Sequence, residues 1–271
     1  LLQRLLPPRP QVVPDGIHRL FIDGLQTLLV THEFAEREYS YQVQVSWDAA
    51  ECGTVEYRQS GADSVLIIPQ RGDFAFTCRW MPKYENEYNT MWSRDDADKT
   101  ASTATTFDAT ASAAQAYWHN YWYEGGIVDF SECTAPEARE LERRVLLSQY
   151  LLAANCAGRI PPQETGLTYN SWFGKFHMEM IWWHQAHFPL WGHEDLLART
   201  LPWYRKVEPI ARQIAERQGF KGVRWMKMTD PSGIEAPSNV GSFLIWQQPH
   251  LIYLAELLYR ANPSQAVIDE Y

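Results

Sequence analysis

Hydrophobic and polar residues alternate in the first hundred positions of the chain. Residues 39–47 read YSYQVQVSW, in which every second residue is an aromatic or a valine. A period of two places these side chains on one face of a β-strand. Shorter runs of the same kind occupy 54–58, 64–69 and 73–80, and glycines separate them. This spacing predicts an antiparallel β-sheet or sandwich over residues 1–106.

After residue 109 the apolar positions follow a helical period instead. Residues 109–123 predict a helix with Trp118 and Trp122 on one face. The segment Thr134-Ala-Pro-Glu137 combines an N-cap threonine, an early proline and a glutamate three residues on, which predicts a second helix ending at Gly158. Three more are predicted over 193–218, which Pro202 and Pro209 bend or divide, over 244–261, and from Ser264. Helices that follow one another without strands between them indicate an all-α domain.

The longest apolar stretch, residues 176–191, lies in the middle of this helical region. A helix that is apolar nearly all round is buried, so we expect a central helix with Met178, Ile181 and either Trp182 or Trp183 almost fully buried. The few polar residues on such a helix must be paired or must face a wet cavity.

Charged and hydrogen-bonding residues gather at the start of this predicted helix, beside aromatic ones. Trp172, Lys175, His177 and Glu179 form a candidate pocket, in which Glu179 is expected to pair with Lys175 or with amide donors. For each polar residue, a purely structural role in the core is nearly as plausible as a functional one.

A long loop without periodicity, residues 219–242, is predicted to cover a cavity, because such loops in compact domains are usually functional or disordered. Its aromatic and methionine residues argue against disorder. Together with two polar residues of the next helix it adds further candidates for the pocket: Trp225, Lys227, Glu235, Gln248 and His250.

The composition narrows the classes of function. The chain has 271 residues with a net charge of −9 and shows no basic stripe, which argues against nucleic acid as a partner. Twelve tryptophans and 14 tyrosines fit either carbohydrate binding or a large aromatic core. No apolar run is long enough to cross a membrane, so no membrane partner is expected.

Metal and disulfide chemistry are not expected either. The four cysteines lack metal-ligand spacing and are interpreted as free thiols. His177, His184 and His187 have no acid placed as in a zinc-binding helix. No metal or cofactor is therefore predicted. The chain opens on a leucine without a signal segment, so its beginning is expected to be missing, and its compartment and oligomeric state stay open.

Several motifs carry a family resemblance. They are the junction WHNYWYEGGIVDFS at 118–131, ELERR at 140–144, SQY at 148–150, PPQETG at 161–166, NSW at 170–172, GKFHME at 174–179 and IWQQPH at 245–250. In these motifs and in the order of its elements the chain resembles the six-hairpin glycosidases, the glycoside hydrolases and phosphorylases around families 65 and 95. The resemblance covers residues 110–271, and reaches the β region only in the order and type of elements.

The resemblance implies an antiparallel β-sandwich followed by an (α/α)6 toroid of helical hairpins. The domains would be a sandwich portion at 1–106, a connecting helix and linker at 107–132, and an incomplete toroid at 133–271. It implies a carbohydrate substrate and inverting cleavage of a glycosidic bond. The segment matching 174–179 contributes polar groups to the sugar site in these families. There Glu179 matches an acid, whereas Lys175 and His177 replace acids or amides.

The expected catalytic groups are incomplete in this chain. The family's general acid is a glutamate on a later loop, so it is expected beyond Tyr271, with Glu179 and Glu235 as the candidate catalytic residues here. Trp172, Lys175, His177, Trp225, Lys227, Gln248 and His250 are the candidate substrate-binding residues. Three alternatives stay open: a non-catalytic carbohydrate-binding relative, a glycoside phosphorylase, and a helical interaction module.

Overall fold

The computed structural model describes residues 17–22, 27–33, 40–59, 65–72, 74–82, 106–166, 171–236 and 238–271. Two compact units divide the chain, Leu1–Tyr117 and Trp118–Tyr271. The structure combines small antiparallel sheets with several helices, which confirms the mixed composition predicted from the sequence. A complete sandwich and a helical toroid remain predictions.

The strands within the described residues are β1 Ile17–Ile22, β2 Thr27–Glu33, β3 Tyr41–Trp47, β4 Val55–Gln59, β5 Val65–Pro69, β6 Phe76–Pro82, β7 Phe176–His177 and β8 Met228–Thr229. The helices are α1 Ala49–Cys52, α2 Phe107–Glu124, α3 Ala138–Cys156, α4 Ile181–Gln185, α5 His187–Leu190, α6 Glu194–Thr200, α7 Pro202–Arg217, α8 His250–Ala261 and α9 Gln265–Glu270. Two 3₁₀ turns lie at Trp172–Gly174 and Gly241–Phe243.

The first unit contains an antiparallel sheet of four strands in the order β1-β2-β3-β6, together with the hairpin β4-β5. In β3 the predicted alternation is confirmed, because Val43, Val45 and Trp47 are buried while the residues between them are only partly so. The register places Val45 opposite Leu28 and Val43 opposite Val30, so these four side chains join one hydrophobic core.

The second unit contains α3 and the later helices. A helix over 109–123 is confirmed as α2, where the rings of Trp118 and Trp122 stack 6.4 Å apart. Ser264 caps α9 as predicted, since its hydroxyl accepts a hydrogen bond from the Val267 N–H at 3.3 Å. The predicted third helix is two helices, α6 and α7, which divide at Leu201 before the proline.

Two predicted helix starts are wrong. The chain closes a turn from the Ala138 N–H to the Ala135 carbonyl, so α3 begins at Ala138 and Thr134 does not cap it. The fourth helix begins at His250 and not at Leu244, because residues 246–249 form a turn that ends at Pro249.

The predicted continuous helix over 176–191 is also wrong. Phe176 and His177 form strand β7, residues 178–180 turn, and two short helices follow. Met178 and Ile181 are almost fully buried as predicted. The expectation for the tryptophans fails, because Trp182 is only partly buried and Trp183 is 58% exposed. Backbone pairing with β8, which lies about fifty residues later along the chain, overrides the local helical pattern.

Candidate functional site

The site is built on the pairing of β7 with β8. Phe176 lies opposite Thr229 and His177 opposite Met228, and the Met178 N–H donates to the Lys227 carbonyl at 2.8 Å. This ladder brings the turn after β7 beside the residue before β8. It thereby turns part of the predicted loop 219–242 into ordered, buried structure, in which Trp225, Met226, Lys227 and Met228 are all buried.

Glu179 is the centre of the site. One carboxylate oxygen, Oε1, lies 2.8 Å from His177 Nε2 and 3.1 Å from Lys227 Nζ. The other, Oε2, accepts a hydrogen bond of 3.0 Å from the indole Nε1 of Trp246. The side chains of Glu179 and Lys227 are only 12% and 8% exposed. Three donors from three chain segments therefore converge on one largely buried carboxylate. Their hydrogen bonds and the ammonium charge offset the cost of burying the charge of Glu179.

His177 lies between two carboxylates. Its Nε2 atom contacts Glu179, and its Nδ1 atom lies 3.7 Å from Glu164 Oε2. Burial lowers the pKa of His177 below its ordinary value, against the opposing effect of the two carboxylates. The imidazole is therefore neutral near pH 7, and the tautomer with its single proton on Nε2 can donate to Glu179.

Trp172 carries the aromatic surface of the site. Among the described residues it is the one non-glycine residue with a positive φ, at 50°, a conformation that is strained for a side chain of this size. The ring is half exposed, and the Lys227 ammonium lies 5.1 Å from its centroid, within the range of a cation–π contact. Strain at an exposed aromatic residue points to a functional reason for holding it there.

The turn 246–249 forms another side of the site. Gln248 accepts a 3.0 Å hydrogen bond from the Trp225 N–H, and Gln247 donates to the Trp225 carbonyl at 3.0 Å. His250 Nδ1 donates to the Met178 carbonyl at 3.2 Å. These amide and imidazole groups fix backbone segments against each other. The same contacts place the indole of Trp246, which is 60% exposed, above Glu179.

The structure brings four predicted site residues together, since Glu179 contacts His177 and Lys227, and the Trp172 ring lies next to both of these. Trp225, Gln248 and His250 support them through backbone hydrogen bonds. Lys175 directly follows the 3₁₀ turn of Trp172, and its N–H donates to the Trp172 carbonyl at 3.4 Å. Glu235 is placed differently, with its carboxylate 3.3 Å from Arg217 Nη2.

Two residues of the site were missed at the level of sequence. Trp246 and Glu164 both lie in motifs that carry the family resemblance, IWQQPH and PPQETG, but neither was singled out. The signal that could have found Trp246 is an indole beside two glutamines, because an indole N–H needs a partner when it approaches a buried region.

Groups of metal ligands and membrane-spanning helices are both absent from the described part of the chain. Within it, histidine, cysteine and acidic side chains form no group of three suited to a metal ion. No helix there is long and apolar enough to cross a bilayer. All four cysteines are free, as predicted.

Comparison with known proteins adds no family assignment. No protein-family model matches the chain. No curated protein sequence matches it either.

Proposed function

We propose that this chain binds a carbohydrate at the Glu179 cluster and forms part of a glycoside hydrolase-like protein that cleaves glycosidic bonds with inversion. The observation that carries the proposal is the convergence of Lys227, His177 and Trp246 on the Glu179 carboxylate, with the Lys227 ammonium also against the strained, half-exposed ring of Trp172.

A sugar needs two kinds of partner, and the cluster supplies both. Ring hydroxyl groups bind to charged acceptors and donors, here the carboxylate of Glu179 and the ammonium of Lys227. The apolar C–H face of a pyranose packs on a flat aromatic ring, and Trp172 offers one next to these charges. The exposed ring of Trp246 adds a second such surface at the other carboxylate oxygen.

Glu179 is suited to accepting hydrogen bonds. Both of its oxygens already accept hydrogen bonds, from His177 and from Trp246. In inverting cleavage one carboxylic acid protonates the leaving oxygen while a second carboxylate activates water. Glu179 would position the sugar through its hydroxyl groups, and the proton donor would be supplied by another residue.

The proposal is tested by isothermal titration of the chain with a panel of neutral mono- and disaccharides. We expect one binding site for at least one of them. Replacement of both charged partners, Glu179→Gln with Lys227→Met, should abolish binding while the far-ultraviolet circular dichroism spectrum is retained. This double variant removes the pair without leaving one buried charge alone.

Glu256→Gln on α8 is the matched control, because it makes the same chemical change at an exposed carboxylate whose partner is Arg260. It should bind the sugar as the unchanged chain does. Absence of binding to every sugar of the panel, or equal binding by the double variant, would contradict the carbohydrate site.

Binding without cleavage is the second candidate function, and one observation favours it. The two carboxylates considered for catalysis are both paired, Glu179 with Lys227 and Glu235 with Arg217. A sugar that binds but is not hydrolysed, with no reducing sugar released over hours, would support this candidate over the hydrolase.

A further inference from the structure

The segment before the 3₁₀ turn brings a second carboxylate to the buried imidazole of His177. Gln163 forms a β-bridge with Phe176, and the His177 N–H donates to the Pro162 carbonyl at 3.3 Å. His184 Nε2 donates to the Glu164 carbonyl at 2.9 Å from the opposite side. These backbone contacts fix Glu164, whose side chain is 27% exposed, with its Oε2 atom 3.7 Å from His177 Nδ1.

A neutral imidazole cannot satisfy both carboxylates. If its proton lies on Nε2, at 2.8 Å from Glu179, Nδ1 carries only a lone pair, 3.7 Å from the nearer oxygen of Glu164. Nδ1 is shielded from solvent and has no hydrogen-bond partner among the described residues. A buried acceptor without a donor is costly, and a proton added to Nδ1 removes that cost and places a positive ring next to the Glu164 carboxylate.

We propose that Glu164 is a positioning residue of this site, whose carboxylate stabilises one exchangeable proton carried by the Nδ1 atom of His177. The proton enters from solvent on the side of Glu164, the more exposed of the two carboxylates. When it is bound, Nε2 still donates to Glu179, but the imidazole and Glu164 together have gained a positive charge. Glu164 thus acts on Glu179 through the ring of His177.

The other charged groups around His177 set the pH range of this exchange. Lys227 opposes protonation of the ring, as does His184 when it is charged, whereas both carboxylates favour it. Burial also opposes it and lowers the pKa of His177. The proton is therefore taken up on the acidic side of neutrality, and removing Glu164 should move its uptake to still lower pH.

The consequence for a ligand rests on the carbohydrate site proposed above. With the proton bound, Glu179 faces a more positive environment and is a weaker acceptor for a sugar hydroxyl group. Sugar affinity should therefore fall as the pH drops through the midpoint of the exchange.

The direct test needs no sugar. Long-range ¹H–¹⁵N spectra of the ¹⁵N-histidine-labelled chain are recorded between pH 4 and pH 9, and His177 is assigned by its loss in His177→Gln. We expect the tautomer with the proton on Nε2 near pH 7. In Glu164→Gln the protonation midpoint of Nδ1 should be lower by about one pH unit or more, the usual effect of removing a carboxylate at this distance.

Glu164→Asp keeps a carboxylate farther from the ring and should give a smaller shift in the same direction. If Glu164→Gln does not fold, Glu164→Asp is the variant in which the midpoint is measured. Glu256→Gln should leave the midpoint unchanged. Equal midpoints in the unchanged chain and in Glu164→Gln, or a proton on Nδ1 near pH 7, would overturn the inference. A shifted midpoint in a chain that binds no sugar would support the inference and contradict only the proposed function.

Discussion

The pairing of Glu179 with Lys227 gives the sharpest quantitative prediction. The carboxylate and ammonium atoms lie 3.1 Å apart, and the two side chains are only 12% and 8% exposed. At an effective dielectric constant of about 20, this separation corresponds to an attraction of roughly 5 kcal/mol, before the cost of removing both groups from water. Replacing one partner loses the attraction but leaves the other charge buried.

We therefore expect Glu179→Gln and Lys227→Met each to lower the free energy of unfolding by about 3–5 kcal/mol. The double variant should cost less than the two single costs added together, and the difference, a coupling energy of about 2–3 kcal/mol, measures the pair. In the double variant the glutamine has a single acceptor oxygen, so one of the hydrogen bonds from His177 and Trp246 is kept and the other is lost. Urea denaturation followed by tryptophan fluorescence measures all four free energies.

The exposed pair Glu256 and Arg260 on α8 provides the comparison. Their side chains are 49% and 68% exposed, and the same cycle there should give a coupling of about 0.5 kcal/mol or less. The prediction would be refuted if Glu179→Gln and Lys227→Met each lowered the free energy of unfolding by less than about 1 kcal/mol and the double variant lowered it by the sum of the two. That result would mean that water reaches the pair.

Three further predictions concern packing, strain and pH. Gly125→Ala should destabilise the chain by about 1–3 kcal/mol in urea denaturation, because the added Cβ would lie 2.2 Å from the buried His193 ring. Gly158→Ala is the control and should cost less, because the nearest atom to its added Cβ would be 3.6 Å away. Trp172→Gly should be more stable than Trp172→Ala by about 1 kcal/mol, because glycine accepts a φ of 50° without strain. Equal stability of the two variants would argue against strain at this position. Both variants should lose sugar affinity, because both lack the indole ring. Burial lowers the pKa of His187 to about 4, below its ordinary value of 6.5. Between these two pH values the unfolded chain binds a proton at His187 that the folded chain does not, so the stability should fall as the pH drops from 6.5 to 4. Thermal melts at a series of pH values should show a smaller loss in His187→Gln.

Local pattern was sufficient wherever neighbouring residues decide the structure. The alternation in β3 fixed which side chains are buried, because one face of the strand packs on a core. The helix α2 and the serine cap of α9 also follow from residues within one or two turns. In each case the determining interactions join residues close in the chain.

The sequence pattern failed where distant segments compete with local preference. Residues 176–177 read as the start of an apolar helix, but they pair with 228–229 as strands. Hydrophobicity could not reveal this, because a buried strand and a buried helix are both apolar. The sequence placed Glu179 and Lys227 in one candidate pocket but named Lys175 or amide donors as the partner of Glu179, whereas the Lys227 ammonium lies 3.1 Å from its carboxylate. Finding this pairing, and the contributions of Glu164 and Trp246, required the actual course of the backbone.

The donors to Glu179 come from three places in the chain, and this arrangement links the site to the folding of its unit. His177 belongs to β7, Lys227 precedes β8, and Trp246 lies in the turn before α8. No single segment can bury the carboxylate with its partners, because each donor alone would leave an incompletely paired charge. The β7–β8 ladder and the turn 246–249 must therefore form together with the cluster. Weakening the ladder should release Lys227 and Trp246 from Glu179 in the same step, so the site is expected to be lost cooperatively and not one contact at a time.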